Sequence, residues 1–446
     1  MNYLQQSEET TEPLNTAEKT EISITPESPE VFRIILPPGR CTKRLLNISD
    51  VFLSLFVITP LVVAHWKGTW AFIERHPEQF PPWMSFLFGC TLHTSFVLIK
   101  ELLHMEFTAP NDGYKSVKKI ISQNIIVKIY TYLFSLGCNL NWQGGWAALQ
   151  VVFGTELKGA VIPSAICLVL LLALKGIRNL AAPPVFVALD NKDIAFSFPT
   201  RFRVQGSHEP GLYVLDCIFS VLVVGTLVVV AWRGSWVFLD LTLYPGNPTY
   251  SAWGSLVIGY GIVGLTFALQ PIMRWTCDRL TGLWRIAVAD IFLFLSFLGT
   301  INVWRGVWQL LDIYFLPDNR LLSDWLTHGL SFVLLALLNC SNSVLVRGVY
   351  IDAEEPAGQC VVFPIHYIRL FFQKERTKKQ RRLLDALERQ DQNNTMFLLD
   401  KSQTNNIKIV KSNVGKLSDP EMKQLTNLTN LSERTKNGTD QNVLKD

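Results

Sequence analysis

Charge is scarce in this chain. Only 17% of its residues are Asp, Glu, Lys or Arg, against about 25% in an ordinary soluble domain. A water-facing globular surface is therefore excluded for most of its length. Catalytic signatures are absent too. The seven histidines (65, 76, 93, 104, 208, 328 and 366) form no HExxH, and there is no Walker loop, GxSxG or DFG-like set. A non-enzymatic protein without cofactor or metal is the expectation. The eight cysteines form no CxxC pair. Most fall within apolar runs or at their basic ends, where thiols stay reduced, so buried structural thiols are expected. Cys41, Cys277 and Cys360 lie close enough to a membrane surface to be candidates for palmitoylation. The first thirty residues hold seven Glu and one basic residue, Lys19. That is the reverse of a signal peptide's basic start.

What is present in quantity is apolar: 49% hydrophobic residues, with 27 Phe and 13 Trp. Eight apolar runs stand out, at 48–66, 82–102, 123–141, 158–178, 213–232, 250–271, 286–304 and 323–345. Each approaches the ~20 residues that carry a helix across ~30 Å of hydrocarbon. The fold class predicted is an all-α multi-pass membrane protein with eight transmembrane helices. The segments between runs alternate in charge. Residues 31–48, 103–122, 175–212, 271–286 and 346–382 contain 23 Lys plus Arg, whereas 65–82, 142–158, 231–250 and 303–324 contain six. The basic side, with both termini, is predicted to be cytosolic. The +4 formal charge thus sets topology, and no nucleic-acid partner is expected.

An internal repeat runs through the spans. The motif Trp-x-Gly-x-Trp occurs as AHWKGTWAFIE (64–74), NLNWQGGWAALQ (139–150), VAWRGSWVFLD (230–240) and NVWRGVWQLLD (302–312). Its members are Trp66, Gly68, Trp70 and Glu74; Trp142, Gly144 and Trp146; Trp232, Arg233, Gly234, Trp236 and Asp240; and Trp304, Arg305, Gly306, Trp308 and Asp312. An acid precedes three of them: Asp50, Asp216 and Asp290. The unit reads as a helical hairpin with an acid at the cytosolic mouth, a span, an outer loop bearing the motif, and a returning span opened by Trp-x-Ser/Thr. Four units group into two parallel halves, because 183–204 and 346–371 both run β-prone residues, an Asp (Asp190, Asp352), a polar turn and Phe-Pro. Short extended or β segments are expected there. The domains expected are 1–44, a disordered cytosolic N-terminus; 45–205 and 206–372, the two four-helix halves; and 373–446, a basic juxtamembrane helix with a disordered tail.

Each candidate has two readings. The motif tryptophans are interfacial anchors with a structural ion pair, or they form an extracellular ligand or ion site. Trp, Trp and acid fall at i, i+4 and i+8 on one helical face. A base and an acid seven residues apart lie roughly 10 Å from each other along a helix, so pairing between units is the more natural arrangement. Asp50, Asp216 and Asp290 pair at helix ends or line an inner vestibule. His93 and His328, inside spans two and eight, are packing residues or a proton relay. Lys100 and Glu101, closing span two, are expected to snorkel to the cytosolic interface. Lys374, Arg376, Lys378, Lys379, Arg381 and Arg382 stand just inside the membrane and are lipid-binding candidates toward anionic headgroups. The tail carries sequons at Asn393, Asn427, Asn430 and Asn437, unused if it is cytosolic.

With the repeat laid out, the chain resembles the Fuseless family of invertebrate eight-span membrane proteins. The likeness rests on Trp232–Asp240, Trp304–Asp312, the LPDN at Leu316–Asn319 and the VRGVYID at Val346–Asp352, and covers about 45–372. It implies a neuronal plasma-membrane protein needed at presynaptic terminals, associated with the clustering of calcium channels and partnered by channels or scaffold proteins. It carries over no catalytic residue. The alternative reading is a transporter or channel that uses the inner-mouth Asp residues.

Overall fold

The computed structural model describes residues 40–108, 117–190 and 195–365, with single positions from 367 to 392. Eight helices account for most of these. Helix α1 (residues 40–75) joins Arg40–Leu53, a π-helical stretch Ser54–Ile58 and Thr59–Arg75. It is followed by α2 (Pro82–Thr108), α3 (Val117–Phe153) and α4 (Leu157–Ala173). Helix α5 (residues 210–242) has its own π-helical stretch, Phe219–Gly225. Then come α6 (Pro248–Arg279), α7 (Gly282–Tyr314) and α8 (Arg320–Leu337). Five of them, α1, α2, α5, α6 and α7, are long and apolar enough to cross a membrane, and α4 is apolar but shorter. The chain is a membrane protein with an all-helical core.

Local sequence explains the boundaries. Pro82, Pro210 and Pro248 begin helices, where a missing N–H costs no bond. Asn247 and Asn319 cap α6 and α8, accepting from the amides of Tyr250 (3.0 Å) and Leu322 (3.1 Å). Before each cap the chain turns through a left-handed residue, Tyr244 or Leu316, both at φ 50°. The Trp-x-Gly-x-Trp motifs do not lie in outer loops, as the sequence reading placed them. They lie within the last turns of α1, α3, α5 and α7, because nothing in them breaks a helix.

The hairpin is not the packing unit either. Each even-numbered helix packs on the odd-numbered helix that follows it: α2 on α3, α4 on α5, α6 on α7, and α8 back on α1. The motif glycines are where they meet. A Cβ on Gly306 would stand 2.7 Å from the Leu256 backbone nitrogen of α6, and one on Gly144 would stand 2.3 Å from that of Phe86 in α2. Gly68 meets the Asp324 carbonyl of α8, and Gly234 the Ala160 carbonyl of α4. Glycine is required for backbones to approach this closely, the small-residue logic of helix pairs in lipid.

No strand occurs among the described residues, so of the two forms expected within 183–204 and 346–371, extended or β, the structure shows the extended one. The two segments run extended and exchange single bonds across the halves. Val187 N–H donates to Pro364 O (3.1 Å), and Val349 N–H to Pro199 O (2.8 Å). Asp190 accepts from the amide of Asn342 (2.7 Å), and Asp352 from those of Ile177 (2.7 Å) and Arg178 (2.8 Å). Each carboxylate caps a 3-10 turn of the other half, Ser341–Val344 or Ile177–Leu180. Burial raises the Asp352 carboxyl above its usual range, and the Arg178 and Ile177 amides oppose that rise. Buried amides must find acceptors, and here a side chain supplies what a ladder otherwise would.

Residues 39–371 form one compact unit. Beyond it, 377–386 is helical, with Lys378, Lys379, Arg381 and Arg382 exposed and Lys378 4.0 Å from Glu375. Lys374, Arg376, the N-terminal segment before residue 40 and the four sequons lie outside the described residues.

The glycine contacts make a prediction. Gly306→Leu should destabilise the detergent-solubilised protein by about 1–3 kcal/mol through overpacking. Gly261→Leu in the same bundle, where an added Cβ meets nothing within 4 Å, should leave it unchanged. Thermal unfolding curves of the two variants check the difference, and equal melting temperatures would refute the close-contact role.

Candidate functional site

Helical rotation of ~100° per residue sends the two tryptophans of a motif one way and the glycine between them the other. With each glycine against an even-numbered helix, the tryptophans of α1, α3, α5 and α7 converge on the axis of the bundle. They form two closed tiers. In the first, Trp66, Trp142, Trp232 and Trp304 contact one another around a ring, with neighbouring centroids 5.5, 5.8, 5.4 and 5.9 Å apart. In the second, Trp70, Trp146, Trp236 and Trp308 do the same at 5.5, 6.0, 5.8 and 5.8 Å. All eight contacts are edge-to-face, the arrangement that puts a ring's positive edge on its neighbour's negative face. The tryptophans therefore line the axis rather than anchor the bundle to headgroups.

The first tier is buried and held by its indole N–H groups: Trp66 donates to Val344 O (2.8 Å) and Trp304 to Pro183 O (2.7 Å). The second tier is half-exposed and encloses a cavity of about 220 Å³ whose floor is the first tier. A second cavity of about 220 Å³ lies on the other side of that floor, lined by Trp66, Trp304, Arg178 and Arg347 among others. The axis thus has a chamber at each end of one tryptophan ring.

Polar residues of the motifs join neighbouring helices around this column. Arg305, 1% exposed, donates to Asp240 of α5 (2.8 Å) and to the hydroxyls of Ser251 (2.7 Å) and Ser255 (2.5 Å) of α6. Lys67 reaches Asp312 of α7 (2.9 Å) and Asp324 of α8 (3.4 Å). Arg75 also pairs with Asp324, a residue the sequence reading passed over. Arg233 lacks a carboxylate in the equivalent place, where α3 has Gln150, and donates instead to Gly154 O. Glu74 is the remaining acid. It accepts from the Trp70 indole (2.6 Å) and has no salt bridge among the described residues.

The inner acids divide. Asp50 accepts from the amides of Tyr367 (3.1 Å) and Ile368 (2.5 Å), and Asp216 from those of Phe202 (2.9 Å) and Val204 (3.1 Å). Each lies on the first helix of one half and holds the segment that follows Phe-Pro in the other. Asp290 does not join them. It sits on α7 against Asp352, with one carboxylate oxygen buried and unbonded. In half one the corresponding contact is an ion pair, Lys128 with Asp190 (3.1 Å). The spacing of 14 rather than 16 residues before the tryptophan carried that difference.

The remaining residues singled out in the sequence are placed as follows, and one expectation among them is corrected. Lys100 does not snorkel: it is buried and donates to Phe198 O (2.5 Å), with the Phe198 ring 4.9 Å away. Glu101 accepts from the Gly206 amide (3.0 Å). Cys277 and Cys360 are buried, so neither thiol is open to acylation. His328 belongs to a cluster, bonding Thr69 (2.8 Å) and Tyr132 (3.0 Å) and stacking at 4.9 Å on His65, which the hydropathy placed at a span edge. His93 packs on Phe134 (5.0 Å) apart from them. No group of three or more metal-ligating side chains occurs among the described residues.

The comparisons add one match. The family model described as Fuseless matches residues 45–345. No curated protein and no solved structure matches the chain.

Charge reversal tests the ring of ion pairs. Arg305→Asp should lower the amount of folded protein at the cell surface, since a buried unpaired charge costs about 3–5 kcal/mol. Adding Asp240→Arg should restore it, and adding Asp312→Arg should not. Surface biotinylation measures all three, and equal rescue by Asp312→Arg would contradict the geometry.

Proposed function

The chain belongs to the Fuseless family, and from that premise we propose that it is a non-enzymatic presynaptic membrane protein that organises or localises calcium channels in synaptic transmission. The observation that supports a scaffold is the closed axis: the first tryptophan ring fills the centre of the bundle, and Lys67, Arg305, Asp50 and Asp216 are bonded to neighbouring segments rather than free along a path. In this reading all eight helices span the plasma membrane in two parallel repeats, with both termini cytosolic and the tryptophan chamber outside. The basic helix of 377–386 then lies against anionic lipid and presents a cytosolic surface to channels or scaffold proteins.

Orientation is tested by engineered glycosylation acceptors. Those placed in 76–81 or 315–319 should carry glycan, and those in 103–122 should not. Native glycan on Asn427 or Asn437 would reverse the topology. Proximity labelling from the C-terminus in neurons should mark presynaptic channel subunits, and labelling confined to unrelated membranes would end the organiser reading.

One observation favours a second reading, a transporter or channel. Chambers on both sides of a single aromatic ring are what alternating access needs, and parallel repeats occur in carriers. Flux of a solute or ion through liposomes holding the purified protein would establish it. Tight liposomes would exclude it for the species tested.

A further inference from the structure

We propose that the chamber inside the second tryptophan tier is a binding site for a quaternary ammonium group. The inference stands on the chamber alone and holds whether or not the organiser reading does.

Three observations point to a cation, and to an organic one. Seven indoles line the cavity, and aromatic enclosures attract cations through the negative faces of their rings, with quaternary ammonium the best-matched guest. The charge at the rim is negative. Glu74 is exposed there with no salt bridge among the described residues, Lys67 acting on it only at longer range, and the α3 residue that lines the same cavity is Gln143, where the other motifs have Lys or Arg. The three basic residues of the motifs point elsewhere: Lys67 to Asp312, Arg305 to Asp240 and Arg233 to Gly154 O. An anion therefore finds no receptor here. The third observation is independent of the tryptophans. Gln143 lines the same cavity at 7% exposure, and its Oε1 is buried with no hydrogen-bond donor. An unsatisfied buried carbonyl oxygen is costly, and the field of a positive charge in the adjoining cavity offsets part of that cost without a hydrogen bond.

A bare metal ion fits less well. Calcium takes six to eight oxygen ligands and magnesium a near-ideal octahedron, whereas this cavity offers one carboxylate and the amides of Gln143 and Gln150 among indole rings. A weakly hydrated alkylammonium gives up little water on entering and gains contact with every wall. Two sources supply such a group: a free small molecule such as choline, and the headgroup of a choline lipid.

The test uses the full-length protein in nanodiscs of phosphatidylglycerol, prepared without choline detergents, with tryptophan fluorescence and calorimetry as readouts. Choline and tetramethylammonium should bind saturably. Potassium and the uncharged choline isostere 3,3-dimethylbutan-1-ol should not. Glu74→Gln, at an exposed rim position, should weaken binding roughly tenfold while leaving the melting temperature unchanged. Trp236→Phe should weaken it less than Trp236→Leu, and each variant's unfolding curve shows whether it is folded. In phosphatidylcholine nanodiscs, unchanged choline binding identifies a free ligand, and its loss identifies the lipid headgroup. No saturable response in phosphatidylglycerol nanodiscs, equal binding of the isostere, or full affinity in Glu74→Gln would each overturn the proposal.

Discussion

Everything in this bundle depends on how closely a glycine lets one helix approach another. In Trp-x-Gly-x-Trp, the glycine and its flanking tryptophans occupy opposite sides of one helical turn. An even-numbered helix seated on the glycine pushes the tryptophans inward, and four such helices bring eight indoles onto one axis. Between apolar helices in lipid the hydrophobic effect does little, so close contact and polar bonds must hold the interface. The motif supplies both, with glycine for contact and the residue after the first tryptophan for the polar bond.

The aromatic column and the ion pairs do different work. Each edge-to-face indole pair is worth about 0.5–1.5 kcal/mol beyond the area it buries, and eight of them close two rings. The ion pairs add less net stability, because desolvating Arg305 or Lys67 offsets much of the attraction. They fix register instead. Arg305 has its acceptors on α5 and α6, and Lys67 on α7 and α8, so neither side chain is satisfied unless the neighbouring helices stand at one height. Where α3 has Gln143 and Gln150, that constraint is relaxed, and the ring's charge is left uneven at Glu74.

Closure is cyclic at both ends. Helix α8 returns to α1 as α2 goes to α3, and at the opposite end Asp190 and Asp352 each cap a turn belonging to the other half. Asp50 and Asp216 repeat the exchange with the segments that follow Phe-Pro. Neither half can bury its backbone amides alone. The two stretches of sequence form one interlocked body with a single core.

Much of this was legible in the residues. Apolar runs of spanning length, scarce charge and the repeated motif gave the all-helical membrane class, and the likeness carried by WRGxW…LD and VRGVYID led to the family. Those signals are local, set by composition and by the 3.6-residue period. What the sequence left open is which side of each helix meets which neighbour. It placed the motif in loops, paired each helix with its own hairpin partner, sent Lys100 to the interface and grouped Asp290 with Asp50 and Asp216. A buried lysine bonded to Phe198 O and a snorkelling one look alike along the chain, since only a carbonyl 98 residues away separates them. The chain by itself determined that helices form and that tryptophan and glycine face apart. Tertiary packing decided that the tryptophans face one another, because a closed ring is a property of four helices together and of none alone.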